Sequence, residues 1–302
     1  MLVDIKEEIE FSKQIDFISN KEGLRFSFED YSKPYKPNTN LTYIWGNNVS
    51  KKGIVYHINS IGIRDKEYNI SKSNNTFRII SLGDSFTFGW KLPLNQTWPK
   101  LLEEKLNILK KEYEVMNFGV DGFNTDLEVK FFEKKGFQFS PDMIIIQFLS
   151  DDVKDIEKID KELDKYYLHL INNNPNISHD SLVSKIHKFH RTYFMTNQES
   201  SNEEFSNVEK ALTKLNFLTK KQNIKVIIFS YENENHIKSL PLKLEVISKK
   251  FNWTFLNLNR EIGYNMQNQK FRVETYDGHP SYYANNLTAS YLAGIVPKKN
   301  VK

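Results

Sequence analysis

The sequence contains no cysteine, and this absence excludes several kinds of chemistry. A chain without thiols has no disulfide framework, no thiolate-bound zinc or iron–sulfur centre, and no cysteine nucleophile. Any covalent catalysis must therefore use an oxygen nucleophile. Aromatic residues are plentiful, with 22 Phe, 15 Tyr and 4 Trp, and together with an ordinary charged fraction of 26% they argue against global disorder.

Long apolar runs and a strong excess of one charge are missing as well. The most apolar segment, 143–149, is far shorter than the roughly 20 residues that a membrane span requires. The 42 basic and 38 acidic side chains are interleaved, so the net charge is only +4 and no nucleic-acid partner is expected. Residues 1–17 lack the basic, apolar and small-residue regions of a secretory signal, and the expected location is the cytoplasm.

Strands and helices alternate from Phe77 onwards, which is typical of a parallel sheet covered by helices on both faces. Predicted strands cover 78–82, 114–118, 143–149, 225–229 and 254–258, and predicted helices cover 97–111, 124–135, 203–222, 242–250 and 281–292. The pattern predicts a three-layer α/β/α sandwich with a five-stranded parallel sheet. We interpret 1–76, with its turn signals and one short strand at 54–59, as a small N-terminal appendage to a domain over 77–302. An insertion at about 154–202 interrupts the alternation of strands and helices in that domain.

Polar residues with catalytic potential stand where the predicted strands end, which is where parallel sheets bind their ligands. Ser85 follows the first strand of the sheet, and Asp277 and His279 stand near the C-terminus, on what we expect to be a loop. A hydroxyl nucleophile, an imidazole base and a carboxylate that orients the base are the three groups that acyl transfer requires. The sequence therefore predicts Ser85, His279 and Asp277 as a catalytic triad.

The chain resembles the SGNH/GDSL hydrolase family in four blocks that occur in the family's order. These blocks are Gly-Asp-Ser-Phe-Thr-Phe-Gly at 83–89, the stretch 117–125 around Gly122, Leu-Ser-Asp-Asp at 149–152, and Asp-Gly-His-Pro at 277–280. Residues 58–65 also look like a segment found upstream of the serine in bacterial members. The resemblance covers about three-quarters of the chain and implies a flavodoxin-like hydrolase fold.

The same resemblance implies an oxyanion hole that includes the backbone N–H groups of Ser85 and Gly122. The family's third donor is an asparagine side chain, but Asp151 occupies that position in this sequence. An ionised carboxylate cannot donate a hydrogen bond, so Asp151 is a doubtful member of the hole. Either Asp151 is protonated, or it is turned away and another donor such as Asn124 replaces it, or the site is weak.

Three functions remain open at this stage. The first is a serine esterase that removes a short acyl group, such as acetyl, from a carbohydrate or a small metabolite. The second is an O-acyltransferase that uses the same triad with a sugar or biosynthetic hydroxyl as acceptor. The third is a binding protein whose catalysis is impaired by Asp151. No cofactor is expected, and His187 and His190 lack an acidic third ligand at a suitable spacing, so no metal site is predicted. The oligomeric state is left open.

Overall fold

The computed structural model describes residues 34–46, 51–108, 112–154, 156–178, 202–231, 240–275 and 277–297, with a few positions between 181 and 189. Within these ranges, no helix is both long enough and apolar enough to cross a membrane. The element that organises the described chain is a sheet of five strands with helices packed on both of its faces. The predicted three-layer α/β/α architecture is therefore confirmed.

The central sheet is parallel throughout. The order of its strands changes direction at the strand that comes first in the sequence, because the next two strands of the chain lie on opposite sides of it. Its strands are β3 (Phe77–Leu82), β4 (Tyr113–Asn117), β5 (Met143–Phe148), β6 (Lys225–Ser230) and β7 (Thr254–Asn257). They are arranged in the order β4-β3-β5-β6-β7. A crevice opens at such a reversal because the neighbouring connections leave to opposite faces, beyond the carboxyl ends of the strands.

Alternate residues of the strands supply the two hydrophobic cores. On β5, Met143 and Ile145 face one core, whereas Ile144, Ile146 and Phe148 face the other. All five side chains are buried, as expected for a parallel strand covered on both faces. The period of two along each strand therefore places every second side chain against the opposite helical layer.

The helices begin and end close to the predicted positions in most cases. They are α1 (Ser85–Phe88), α2 (Trp98–Leu106), α3 (Thr125–Phe131), α4 (Ile156–Asn173), α5 (Asn202–Lys221), α6 (Leu240–Phe251), α7 (Leu258–Ile262) and α8 (Tyr282–Ile295). Helices α2 and α8 pack together on one face of the sheet, and α3 and α5 pack together on the other. Asn124 accepts a hydrogen bond from the Leu127 N–H at the start of α3, as its predicted place at the helix boundary requires.

Helix α2 differs from its prediction at both ends. Thr97 precedes the helix, but its hydroxyl donates to the Leu94 carbonyl and does not cap the helix. The predicted end at 111 is wrong because the helix ends at Leu106. The Asn107 side chain accepts from the Glu112 and Tyr113 N–H groups, which turns the chain out of the helix towards β4.

The described part of the predicted appendage contains an antiparallel hairpin of β1 (Thr39–Gly46) and β2 (Lys51–Ile58). Strand β1 was absent from the prediction. Tyr43, Tyr56 and Ile58 are buried in the same core as Phe88. The hairpin therefore shares side-chain packing with the sheet, whereas the domain division at residue 76 remains a prediction.

A second hairpin precedes the last helix and was also not predicted. Strand β8 (Arg272–Glu274) pairs with β9 (Asp277–Pro280) in antiparallel fashion. The expectation that Asp277 and His279 lie on a loop is therefore wrong, since both belong to β9. A short extended strand fixes the direction of alternate side chains, which a loop does not.

Candidate active site

Close packing of the loops after β3 and β4 fixes the position of Ser85 at the sheet edge. A Cβ on Gly83 would lie 2.1 Å from the Thr87 hydroxyl, and a Cβ on Gly119 would lie 2.2 Å from the Phe88 backbone nitrogen. Gly83 therefore leaves room for the Thr87 side chain, and Gly119 lets the loop after β4 approach the backbone of α1 more closely than any side chain permits. The Val120 N–H donates to the Gly83 carbonyl at 3.0 Å and joins the ends of β3 and β4.

Ser85, His279 and Asp277 lie together although they come from opposite ends of the domain. The Ser85 Oγ lies 2.8 Å from His279 Nε2, and His279 Nδ1 lies 2.5 Å from Asp277 Oδ1. The same Asp277 oxygen accepts a hydrogen bond from the His279 backbone N–H at 3.0 Å. These contacts hold the imidazole with one nitrogen on the carboxylate and the other on the serine hydroxyl, which is the arrangement that activates a serine.

The charges around the imidazole favour its protonated form. Burial alone lowers the pKa of His279, but the adjacent Asp277 carboxylate, followed by Asp121 and Asp84, raises that pKa above its ordinary value. Burial also raises the pKa of Asp277, yet His279 and Lys91 outweigh burial and hold that pKa well below its usual range. Asp277 is therefore a carboxylate at neutral pH and stabilises positive charge on His279.

Aromatic side chains surround the histidine. The Phe86 ring centroid lies 5.3 Å from that of His279, and the Trp90 ring centroid lies 6.1 Å from it. Phe88 and Trp98 are completely buried, so they belong to the core. Of Phe86, Phe88, Trp90 and Trp98, therefore, Phe86 and Trp90 lie beside the reacting groups.

The backbone donors expected at an oxyanion hole lie on the loops beside Ser85. Ser85 is the first residue of α1, and an N–H at that position has no acceptor within its own helix. Gly122 adopts a left-handed conformation with φ of +74° in the turn between β4 and α3. Their membership of an oxyanion hole stays a prediction.

Asp151 forms an ion pair with Lys154 at 2.6 Å and has a side chain that is 61% exposed. The Lys154 side chain is only 10% exposed. Asn124 is buried, accepts from Leu127 and donates its amide to the Lys154 carbonyl. Asn124 therefore binds the backbone carbonyl of Lys154, and Asp151 binds the ammonium group of the same lysine.

Three buried carboxyl groups lie under the site, and two of them bind local backbone. Asp84 accepts from the Phe86 N–H, and Asp152 accepts from the Leu149 N–H. Burial, with nearby carboxylates, raises the pKa of Asp84 to about 7 and raises the pKa values of Glu128 and Asp152 well above their ordinary range. Asp84 and Asp152 therefore hold the local backbone in place.

Sequence reasoning missed Lys91, whose ammonium lies 2.8 Å from the second oxygen of Asp277. It also missed the residues that hold the turn around Lys91. Tyr56 accepts from the Lys91 N–H at 2.9 Å, and Arg64 donates to the carbonyls of Phe88 and Gly89. Arg64 belongs to the segment 58–65 that resembles bacterial members of the family. This resemblance is the sequence signal that could have identified Arg64 as part of the site.

No group of three or more histidine and acidic side chains is placed to hold a metal ion within the described part of the chain. His187 and His190 lie outside the described residues. The groups at the site are a hydroxyl, an imidazole and carboxylates, which are the groups that acyl transfer by a serine nucleophile requires.

The fold and the site define an α/β protein with a hydrogen-bonded serine, histidine and aspartate at the reversal point of its sheet. The chain belongs to the GDSL-like lipase/acylhydrolase family, whose profile matches residues 79–292. The resemblance drawn from the four blocks is confirmed, and the protein is a hydrolase that acts on ester bonds. No curated protein sequence matches the chain significantly.

Solved structures share the fold at low sequence identity. The acetyl xylan esterase AlAXEase is 17% identical with a TM-score of 0.50, and the match covers 73% of this chain and 100% of that one. A lipase/acylhydrolase from Enterococcus faecalis is 17% identical with a TM-score of 0.46, covering 75% and 100%. The esterase EstA from a Pseudoalteromonas species is 14% identical with a TM-score of 0.47, covering 72% and 94%.

Proposed function

We propose that the protein is a serine esterase that removes a short acyl group, such as acetyl, from a neutral carbohydrate or small metabolite. The observation that carries this proposal is the continuous hydrogen-bonded line from Ser85 through His279 to Asp277, with distances of 2.8 Å and 2.5 Å. Such a line pairs a nucleophile with a base whose tautomer is already fixed.

The reaction follows from these contacts. His279 Nε2 takes the proton of the Ser85 hydroxyl while Oγ bonds to the ester carbonyl carbon. The carbonyl electrons move onto oxygen, and the N–H groups of Ser85 and Gly122 bind that oxyanion. Collapse expels the alcohol, which receives the proton from His279. Water then attacks the acyl-enzyme with His279 as base, and this step releases the acid and restores Ser85.

Charge supports a neutral substrate. Asp277 and Asp121 both contribute negative potential around the nucleophile, since both raise the pKa of His279. A substrate with a phosphate or carboxylate next to its ester would be repelled by these groups. An uncharged acetyl ester avoids that repulsion.

The ion pair between Asp151 and Lys154 supports catalysis over a purely binding role. An uncompensated carboxylate at the oxyanion position would oppose the developing negative charge. Lys154 lies 2.6 Å from Asp151 and compensates that charge. The site thus contains both the carboxylate and the cation that offsets it.

The test is active-site labelling with a fluorophosphonate, followed by hydrolysis of p-nitrophenyl acetate, butyrate and octanoate. Wild-type protein should be labelled and should prefer acetate, and Ser85→Ala should abolish both labelling and hydrolysis. Ser290→Ala, an exposed serine on α8, is the matched control and should behave as wild type. Labelling that survives Ser85→Ala would overturn the proposed nucleophile.

Product analysis separates hydrolysis from acyl transfer. The reaction is run with water alone and then with a sugar as acceptor, and the acyl products are identified. Free acid as the only product under both conditions supports an esterase. An acylated sugar that depends on Ser85 would assign the O-acyltransferase alternative instead.

A further inference from the structure

A line of alternating charges continues from the His279–Asp277 pair away from Ser85. Asp277 uses one oxygen for His279, and its other oxygen lies 2.8 Å from the Lys91 ammonium. Lys91 also contacts Glu274 at 2.8 Å, and the second Glu274 oxygen lies 3.1 Å from Lys52. The Lys91 side chain is 2% exposed, so its charge is neutralised inside the protein and not by solvent.

Burial of this lysine has a cost that the two carboxylates must offset. Removing an ammonium group from water is unfavourable, and a buried ion pair repays this loss only when its geometry is good and its remaining protons are bonded. Lys91 contacts Asp277 from β9 and Glu274 from β8. The lysine therefore bridges both strands of the hairpin that carries His279.

The backbone of Lys91 is held as tightly as its side chain. Its φ is +59°, a left-handed conformation that a lysine adopts only where the surrounding structure imposes it. The Lys91 N–H donates to the Tyr56 hydroxyl at 2.9 Å, which joins the turn to the N-terminal hairpin. Arg64 binds the Gly89 carbonyl at 2.7 Å just before this turn.

We propose that Lys91 is a positioning residue that fixes the Asp277 carboxylate against His279 and offsets part of the negative charge of Asp277. Glu274 neutralises part of the charge of Lys91 and so sets how strongly Lys91 offsets Asp277. The inference rests on the proposed function, because it assigns Asp277 and His279 to the catalytic line. It extends that function by making the N-terminal hairpin, through Tyr56, a support of the active site.

The charged and titratable groups around this line come from several elements. Around His279 these are Asp277 on the same strand, Asp84 and Ser85 at the start of α1, and Asp121 from the turn after β4. Around Asp277 they also include Lys91, with Tyr43 and Tyr56 from the hairpin. The pKa values of both tyrosines are raised, chiefly by burial, so the tyrosines are neutral near neutral pH.

Two substitutions should move the pKa of His279 in opposite directions. Lys91→Met removes the positive charge that offsets Asp277, so the imidazolium is favoured and the pKa of His279 should rise. Glu274→Gln leaves Lys91 less neutralised, so the imidazolium is disfavoured and the pKa should fall. A general loss of structure would not produce this pair of opposite shifts.

The measurement is an NMR titration of the His279 imidazole in protein with isotope-labelled histidine, which needs no catalytic activity. An unchanged or lowered pKa in folded Lys91→Met overturns the proposal. If Lys91→Met does not fold, Glu274→Gln decides, and an unchanged or raised pKa overturns it. Lys249→Met, an exposed lysine paired with Glu245 on α6, is the matched control and should leave the titration unchanged.

Kinetics provide the second readout. Lys91→Met should lower kcat on p-nitrophenyl acetate about tenfold or more with a smaller change in KM, because misalignment of a catalytic group acts on the chemical step. Lys91→Arg should recover part of that loss, since it keeps the charge. If the wild-type protein shows no Ser85-dependent labelling, the proposed function is refuted but the role of Lys91 is not. The titration tests that role separately.

Discussion

The Asp151 carboxylate lies 2.6 Å from the Lys154 ammonium, and the resemblance in the third block aligns Asp151 with an asparagine of the family. The substitution exchanges a neutral hydrogen-bond donor for an ion pair. The acid is 61% exposed, whereas the lysine is 10% exposed. The pair thus turns its negative end towards solvent and keeps its positive end within the fold.

Asp151→Asn should raise kcat, because it removes a negative charge and restores a side-chain donor beside the oxyanion. One such donor is worth about 10²–10³ in rate, and we expect a gain of about tenfold, since Lys154 already offsets part of the charge. Lys154→Met should lower kcat, because it leaves the Asp151 charge without its partner. The measurement is kcat and KM on p-nitrophenyl acetate.

The double variant checks whether these effects arise from the pair. Lys154→Met should cost much less when Asp151 is already asparagine, because no carboxylate then remains to be neutralised. Equal losses in both backgrounds would show that Lys154 acts independently of Asp151. A decrease in kcat on Asp151→Asn would contradict the predicted gain and would assign the carboxylate a favourable part in the reaction.

Gly119→Ala should impair both stability and activity. The added Cβ would lie 2.2 Å from the Phe88 backbone nitrogen, and a backbone atom cannot rotate away as a flexible side chain can. The clash pushes apart α1, which carries Ser85, and the loop after β4. We expect destabilisation of about 3 kcal/mol and a loss of kcat, measured by thermal unfolding and by ester hydrolysis.

Gly294→Ala is the matched control for that substitution. Gly294 lies in α8, and within the described part of the chain a Cβ there would meet no atom from outside its own helix turn within 4 Å. Alanine is favoured over glycine inside a helix by about 1 kcal/mol, so this variant should be at least as stable as wild type. Equal behaviour of the two alanine variants would contradict the close-packing explanation.

The pH dependence of kcat/KM should follow His279. The imidazole must be neutral to accept the Ser85 proton, so activity falls as pH drops below the pKa of His279. Because Asp277 raises that pKa, the acid limb should lie above about pH 6.5, the ordinary histidine value. A limb centred below that pH would contradict the effect of Asp277.

Asp277→Asn tests the same electrostatic coupling. The amide cannot stabilise the imidazolium and favours the wrong tautomer, so kcat should fall by about 10³–10⁴. Asp142→Asn is the control, because Asp142 forms an ion pair with Lys72 at the start of the sheet, away from His279. The control should retain the wild-type pH profile.

Much of the fold follows from the sequence because it depends on local periodicity. The run 143–149 predicts a strand buried on both faces, and the structure has β5 there with all of its residues buried. Strand ends then indicate where Ser85 must lie. Strand β1 escaped prediction because its buried side chains, such as Tyr43, gain their hydrophobic partners only in the folded chain.

The electrostatic part of the site could not be predicted in the same way. Lys91 and Asp277 are far apart in sequence, and their contact depends on how the β8–β9 hairpin meets the turn after α1. Lys154 is only three residues from Asp151, yet its partial burial is a property of the packed structure. Spacing thus identifies the chemical groups, whereas packing decides which charges neutralise one another.

The buried carboxyl groups beneath the site should make the protein less stable as pH rises. Burial raises the pKa of Asp84 to about 7 and raises those of Glu128 and Asp152 well above their ordinary values. The folded state therefore retains protons that the unfolded chain releases above about pH 4. Since the folded state binds more protons in this range, the free energy of unfolding should fall from about pH 4 to pH 7 and beyond.

Glu128→Gln should flatten that decline, because glutamine has no proton to lose. Neither Glu128 oxygen has a hydrogen-bond partner among the described residues, and the charge of Asp84 adds to the burial effect, so ionisation of this side chain is strongly opposed. Thermal unfolding between about pH 5 and about pH 8 measures the slope, and the variant should gain most relative to wild type at the higher pH. Glu133→Gln, an exposed residue next to the end of α3 that pairs with Lys214, should keep the wild-type slope. An equally steep decline in Glu128→Gln would show that the proton is held elsewhere in the cluster.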